Sequence, residues 1–337
     1  MKSSANRNDL PIIGPATDHK LFPRRNPDSA LRGLEGPART FCEAELAIAR
    51  CDFSRGKTLS EKLFADDSYV LAAVRLGLIA AIGLGDLKFF DQVLRSLAQY
   101  RRRAPSVRSA LGVEITEAWL RQFMWLPTGY PEWMCRFDLS DIPEPWCAAV
   151  AYLGVKIRIA QGSFESAYAA ASLFLNFVCP QQDLSAASSH AKMACAVACR
   201  ETGRTDEMMK WLGEAVGLLV PHGFLLPFLL FMHGSHRSPV EERIAEIAPE
   251  QVPRYRELSK RYFANLIRAR NHYTGEHVTT ALSFREFYLA MLLKRDMSYK
   301  ELSERFGITV GRTKNIVSAI YDKLGIHSCG ELRDLVW

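Results

Sequence analysis

Three groups of residues in this chain have the types and spacing that chemistry needs. Arg55-Gly56-Lys57-Thr58 ends like a phosphate-binding loop, in which backbone amides cradle a phosphate and a lysine reaches it. The earlier glycine such a loop requires would fall at Cys51, and the approach Ala44–Arg50 reads as helix, so nucleotide binding is not expected. Cys195 and Cys199 lie four apart on one helical face with His190 nearby. No second Cys/His pair at metal spacing accompanies them, so small buried thiols are the expectation rather than zinc. His222, His233 and His236 are too loosely spaced to define a site. Neither a Ser-His-Asp arrangement nor the acidic cluster of a phosphorylated receiver stands out, so no catalytic residue, metal or cofactor is assigned and an enzyme is not expected. The third group is Lys300, Gly311, Lys314, Asn315 and Ser318. Amines, an amide and a hydroxyl beside a glycine suit a surface that meets phosphates and base edges closely.

Helix-start signals place that third group. Ser283/Glu286, Ser298/Glu301 and Ser328/Glu331 have the spacing of capping boxes, and Thr309 after Gly307 supplies a fourth cap behind a tight turn. The predicted helices are Phe284–Leu293, Tyr299–Phe306, Val310–Leu324 and Cys329–Val336. Two short helices joined by Gly307-Ile308-Thr309 make a helix-turn-helix, one helix bracing and the next entering the major groove. Thr313, Val317, Ile320 and Leu324 recur at helical spacing and are expected to pack on Leu289, Leu292, Leu302 and Phe306. That leaves Gly311, Lys314, Asn315 and Ser318 outside.

These residues resemble a family. Leu282, Arg285, Glu286, Ser298, Lys300, Glu301, Glu304, Arg305, Gly307, Ile308, Lys314, Asn315, Ser318, Ile320, Tyr321, Lys323, Leu324, Gly325, Ser328, Glu331 and Leu332 look like the LuxR (GerE-type) helix-turn-helix. The resemblance runs through 282–337. It implies a bacterial transcriptional regulator that binds inverted-repeat double-stranded DNA as a homodimer, with RNA polymerase a further candidate partner. Lys300 would then bind phosphate, and Lys314 and Asn315 would face the DNA. The full expected DNA-binding set is Lys300, Thr309, Val310, Gly311, Arg312, Lys314, Asn315, Ser318 and Lys323. The last helix would pair two modules through Leu332, Leu335, Val336 and Trp337. There are departures: a family Gly is Asp296 here, the usual Thr-Val is Arg312-Thr313, a familiar His is Ile316, and a late Arg is Cys329.

Upstream, 1–37 is rich in Pro, Gly, Asn and charge and is expected to be a partly disordered arm. From Ala38 to about Phe231 the pattern is helical, with four similar turns at Cys51-Asp52-Phe53, Gly85-Asp86-Leu87, Gly162-Ser163-Phe164 and Gly203-Arg204-Thr205. Their spacings are 34, 77 and 41 residues, and 77 is about two periods with a degenerate turn near Trp125-Leu126-Pro127. A unit of about 34 residues is tetratricopeptide-like. The expected fold is therefore all-α: an irregular helical-repeat (tetratricopeptide-like) solenoid or bundle over 38–272, a linker at 273–281, and the four-helix module at 282–337. Trp119, Arg121, Trp125, Tyr130 and Trp133 could line the groove of such a stack, although most such aromatics are core. Arg254–Tyr273 reads as a basic helix with Tyr255, Leu258, Tyr262, Leu266 and Ala269 on one side, expected to close the stack, with contact to DNA the alternative.

Charge separates the two parts. Residues 1–253 hold 28 Lys+Arg and 28 Asp+Glu, whereas 254–337 hold 15 and 9, which accounts for the whole net charge of +6. A neutral body with a basic end fits a DNA-binding module on a domain that does not bind DNA. The apolar run Val216–Met232 is broken by Pro221, His222, Gly223 and Pro227, so no membrane span is expected, and eight scattered cysteines fit reduced thiols in a cytoplasm. The functional expectation is a one-component regulator whose N-terminal domain senses a ligand or partner protein. The alternative is a helical-repeat adaptor using its C-terminal domain for protein interaction.

Overall fold

The computed structural model describes residues 31–104, 106–124, 126, 129–178, 186–229, 239–275, 282 and 284–335. Among them every regular element is helical. The chain forms two compact units, Met1–Phe228 and Leu229–Trp337. No helix among the described residues is long and apolar enough to cross a membrane.

The first unit contains α1 (Gly36–Ala49), α2 (Phe53–Leu63), α3 (Val70–Leu84), α4 (Leu87–Arg103), α5 (Val107–Phe123), α6 (Glu132–Arg136), α7 (Glu144–Ala160), α8 (Phe164–Leu173), α9 (Ala186–Glu201) and α10 (Thr205–Leu219), then the short α11 (Leu226–Leu229). Consecutive helices pack as hairpins: α1 on α2, α3 on α4, α7 on α8 and α9 on α10. The first helices of successive hairpins also touch, α1 with α3, α3 with α5, α5 with α7 and α7 with α9.

Four hairpin turns share one backbone solution. Cys51, Gly85, Gly162 and Gly203 all have positive φ, between 60° and 77°. The residue after each donates its N–H five residues back, Asp52 to Ala47, Asp86 to Ala81, Ser163 to Arg158 and Arg204 to Cys199, at 2.8–2.9 Å. This left-handed stop satisfies carbonyls that a helix end leaves orphaned. The same residue's carbonyl then accepts the first bond of the next helix, from Gly56, Phe90, Ala167 and Met208. Asp52 and Asp86 add side-chain caps to Arg55 and Phe89 N–H. Of the degenerate turn, Trp125 and Pro127 lie outside the described residues; Leu126 N–H still bonds Arg121 O at 3.0 Å.

Small residues let these helices approach. A Cβ on Gly56 would come within 2.4 Å of Ile48, and one on Gly83 within 2.3 Å of the Phe53 ring. The Arg55–Thr58 stretch is thus helix interior, with Gly56 packed against α1 and Lys57 Nζ bonded to Asp86 at 2.8 Å. Cys195 and Cys199 are buried thiols that burial pushes up to about 12 and about 11. Among the described residues no group of three or more His, Cys, Asp or Glu could hold a metal ion.

The second unit begins with α12 (Pro239–Ile247) and α13 (Val252–Thr274). The expected stripe Tyr255, Leu258, Tyr262, Leu266 and Ala269 is buried. Two expectations shift here. The division between units falls at Phe228/Leu229, and α13 belongs with the C-terminal helices instead of closing the N-terminal stack. Within this unit the Arg270 guanidinium lies 5.6 Å from the Phe287 ring centroid and is itself buried. Tyr273 and Thr274, expected in the linker, are helical, and the helix stops at Gly275 with φ 71°. Residues 276–281 lie outside the described residues.

Candidate nucleic-acid interface

The last four helices are α14 (Phe284–Lys294), α15 (Tyr299–Phe306), α16 (Val310–Leu324) and α17 (Cys329–Leu335). Helix starts follow the caps. Ser298 Oγ accepts from Glu301 N–H at 3.3 Å while Glu301 Oε2 accepts from Ser298 N–H at 2.8 Å, a complete capping box. Hydrogen bonds from the Ser298 hydroxyl and then its N–H hold the Glu301 carboxyl below the usual carboxylate range. Thr309 Oγ1 accepts from Arg312 N–H at 3.2 Å. At α17 the box is shifted by one: Ser328 Oγ accepts from Glu331 N–H, but Glu331 returns to His327 N–H at 3.1 Å. Ser283 lies outside the described residues.

α15 ends on Gly307 at φ 60°, and only Ile308 separates it from the Thr309 cap. That short turn fixes the two helices against one core. Leu289, Leu302, Phe306, Thr313 and Ile320 have no exposed surface, Leu292 and Val317 2% each. Leu324, expected in the same seam, is only half-buried. Thr313 Oγ1 donates to Thr309 O at 3.2 Å, so its buried hydroxyl is satisfied. Tyr321 is pushed up to about 12 by burial and stays neutral.

With that seam turned inward, Lys300, Thr309, Val310, Gly311, Arg312, Lys314, Asn315, Ser318 and Lys323 are all exposed. They differ in what holds them. Lys323 Nζ is bound to both Glu286 oxygens at 2.8 and 2.9 Å, so this cation already braces α16 on α14. Lys300, Arg312 and Lys314 make no ion pair among the described residues. Gly311 is equally unconstrained from inside: a Cβ there would meet only Thr309 Oγ1, at 4.0 Å.

One expected pairing residue is corrected. Leu332 is fully buried. α17 packs on α14, and Leu332 is taken up by its own module. Leu332 is therefore not presented to a second copy. The Leu335 side chain, Val336 and Trp337 lie outside the described residues.

Sequence reading did not anticipate the lock between α14 and α17. Asp296 takes φ 62°, and its carboxylate pairs with Arg333; Lys294 Nζ donates to Arg333 O at 2.7 Å and Cys329 Sγ to Leu293 O at 3.7 Å. The available signal was Asp296 itself, an Asp standing where the resemblance offers a Gly. Chemically, the exposed side chains of the α15–α16 face can donate to phosphates and base edges. No protein-family model, no curated protein and no solved structure matches the chain, so the resemblance rests on the residues quoted for it.

Proposed function

We propose that this chain is a DNA-binding transcriptional regulator of the LuxR type, with α15 and α16 as its helix-turn-helix and α16 as the helix that enters the major groove. The observation that carries the reading is the two-sidedness of α16. Its apolar residues Thr313, Val317 and Ile320 are spent on the module, while Gly311, Arg312, Lys314 and Asn315 stand free on the other side. A further support is the backbone at Asp296. A left-handed φ is where Gly is favoured, which is the residue the resemblance places there.

In this reading Lys300, near the start of α15, meets a phosphate where helix amides and the dipole already favour an anion. Lys314 and Asn315 reach base edges. The module pairs with a second copy on inverted-repeat DNA through Leu335, Val336 and Trp337, Leu332 being excluded. The N-terminal hairpins form an irregular tetratricopeptide-like stack that senses a cytoplasmic ligand or partner protein. Their support is the turn geometry repeated at Cys51, Gly85, Gly162 and Gly203.

Selection of bound fragments from genomic DNA tests the reading, followed by titration of the recovered duplex at several salt concentrations. Affinity is expected to fall with a log–log slope of about 0.9 per phosphate contact. A flat salt response, or no enriched sequence, would leave the adaptor reading in its place.

A further inference from the structure

Between the α3–α4 and α7–α8 hairpins, α5 is followed by only the short α6, and a groove opens nearby. The second helices of the hairpins run 10 to 17 residues, whereas α6 has five. Ala169, Ala170 and Leu173 of α8 consequently border an open groove of about 480 Å³, and Leu173 is 57% exposed. Phe137 and Leu139, from the loop after α6, also line it. Phe174, which opens the five-residue π-helical turn Phe174–Val178, is a further lining residue. Such π turns are rare and concentrate at functional sites, and this volume lies within the range of small-molecule pockets.

One cation enters this apolar lining. Arg158 stands at the position that the other three hairpins fill with Ala47, Ala81 and Cys199, all buried and small. Its guanidinium lies 4.7 Å from the Phe137 ring centroid. It donates from Nε to Ser166 Oγ at 3.1 Å, from Nη1 to Gly154 O at 3.2 Å and from Nη2 to Cys135 O at 3.4 Å. All three acceptors are neutral, and among the described residues no carboxylate lies within ion-pair distance. An arginine has five N–H donors, so two remain. Desolvation pulls the guanidinium below its usual range, the condition an incoming anion relieves.

We propose that this groove binds a medium-chain aliphatic monocarboxylate, its carboxylate on the two remaining Arg158 N–H groups and its chain along Leu139, Leu173 and Phe174. The guanidinium supplies the charge-assisted bonds, and Ala151 and Ala170 leave the room. As the signal sensed by the N-terminal unit, this ligand rests on the regulator reading; the binding itself does not.

Calorimetric titration of the full chain with decanoate and with decanol tests it at pH 7.5. Decanoate is expected to bind one per chain, and decanol at least about tenfold more weakly. Arg158→Gln should remove that preference, leaving decanol binding as it was. Ala170→Trp fills the groove, leaves Arg158 and its three bonds in place, and should abolish binding of both. Should Arg158→Gln fail to fold, Ala170→Trp and the acid–alcohol ratio still decide. Equal affinity for acid and alcohol, undiminished decanoate binding by folded Ala170→Trp, or no heat from decanoate up to millimolar would each overturn the proposal. No DNA is present, so failure here and failure of DNA binding are read separately.

Discussion

The two units use the same helical material and differ in where their ion pairs lie. In the N-terminal unit several cations are tied to carboxylates of a neighbouring helix or loop: Lys57 to Asp86 at 2.8 Å, Arg103 to Asp67 at 2.6 Å, Lys192 to Glu214 at 2.6 Å and Arg75 to Glu45 at 2.7 Å. In the C-terminal module Lys323 with Glu286 and Arg333 with Asp296 lock helices together. Lys300, Arg312 and Lys314 on the α15–α16 face have no such partner among the described residues. Charge balanced inside a fold serves the fold; charge left over is available to a partner, and here it is concentrated on one surface.

The sharpest test of the first half of this contrast is Arg75. It lies in α3, a helix buried from Val70 to Gly83, and Glu45 opposite it is 1% exposed. Burial pulls the guanidinium down and the carboxylate holds it up. Arg75→Met strands the Glu45 charge and should cost about 3–5 kcal/mol in chemical denaturation. Adding Glu45→Leu should restore most of that loss, because an apolar pair of similar volume is tolerated there. If the single variant unfolds no more easily than the parent, charge in this unit is not bound to the fold and the contrast fails.

The second half is broken or sharpened on DNA. Lys314→Ala or Asn315→Ala should cost about 1–3 kcal/mol on the selected duplex and less on random duplex. Lys300→Ala should weaken both alike and lower the salt slope by about one. Arg312 is decided by the same measurement: loss on the preferred site alone marks a base contact, equal loss a phosphate contact. Equal losses on both duplexes for Lys314 and Asn315 would put the wrong face in the groove.

How much of this was legible depends on how local the determinant is. The starts of α15, α16 and α17 are set by a side chain and its own next turn, so Ser298, Thr309 and Ser328 announce them. The four N-terminal stops are local too, through a glycine or, at Cys51, a residue in the same conformation. What was not legible depends on distant neighbours. Leu332 reads as an exposed apolar residue until α14 is placed beneath it. That α13 groups with the C-terminal helices shows only once Arg270 is seen beside Phe287. The groove at Arg158 depends on a helix stopping after five residues, as Phe137 turns left-handed at φ 63°.

Lys156 carries a smaller and pH-dependent effect. Desolvation on α7 lowers its ammonium to about 8, while part of the residue keeps contact with solvent. A lysine whose folded value lies below its unfolded value of 10.5 opposes folding while it is charged in both states. Between about 8 and 10.5 the unfolded chain holds the proton and the folded chain does not, so this group makes stability rise with pH across that window. Lys156→Met should stabilise the unit by about 1 kcal/mol at pH 7 and flatten the rise. Melting curves of the two proteins from pH 7 to 10 compare them directly; parallel curves would remove Lys156 as the cause.

The smallest stability effect falls at Gly311 and bears most directly on what the free surface is for. No neighbour inside the chain requires a glycine there, since a Cβ would touch nothing nearer than 4.0 Å. In a helix a glycine costs up to about 1 kcal/mol against alanine, and less in the first turn, where Gly311 lies. Gly311→Ala should therefore raise stability by about 0.5 kcal/mol. On the selected duplex the same substitution should weaken binding, because the added methyl holds α16 off the groove. A variant that is both more stable and a poorer binder ties the bare surface to a partner that approaches closely. If Gly311→Ala binds as well as the parent, the approach is made elsewhere on α16, and Arg312, Lys314 and Asn315 must reach the DNA from further out.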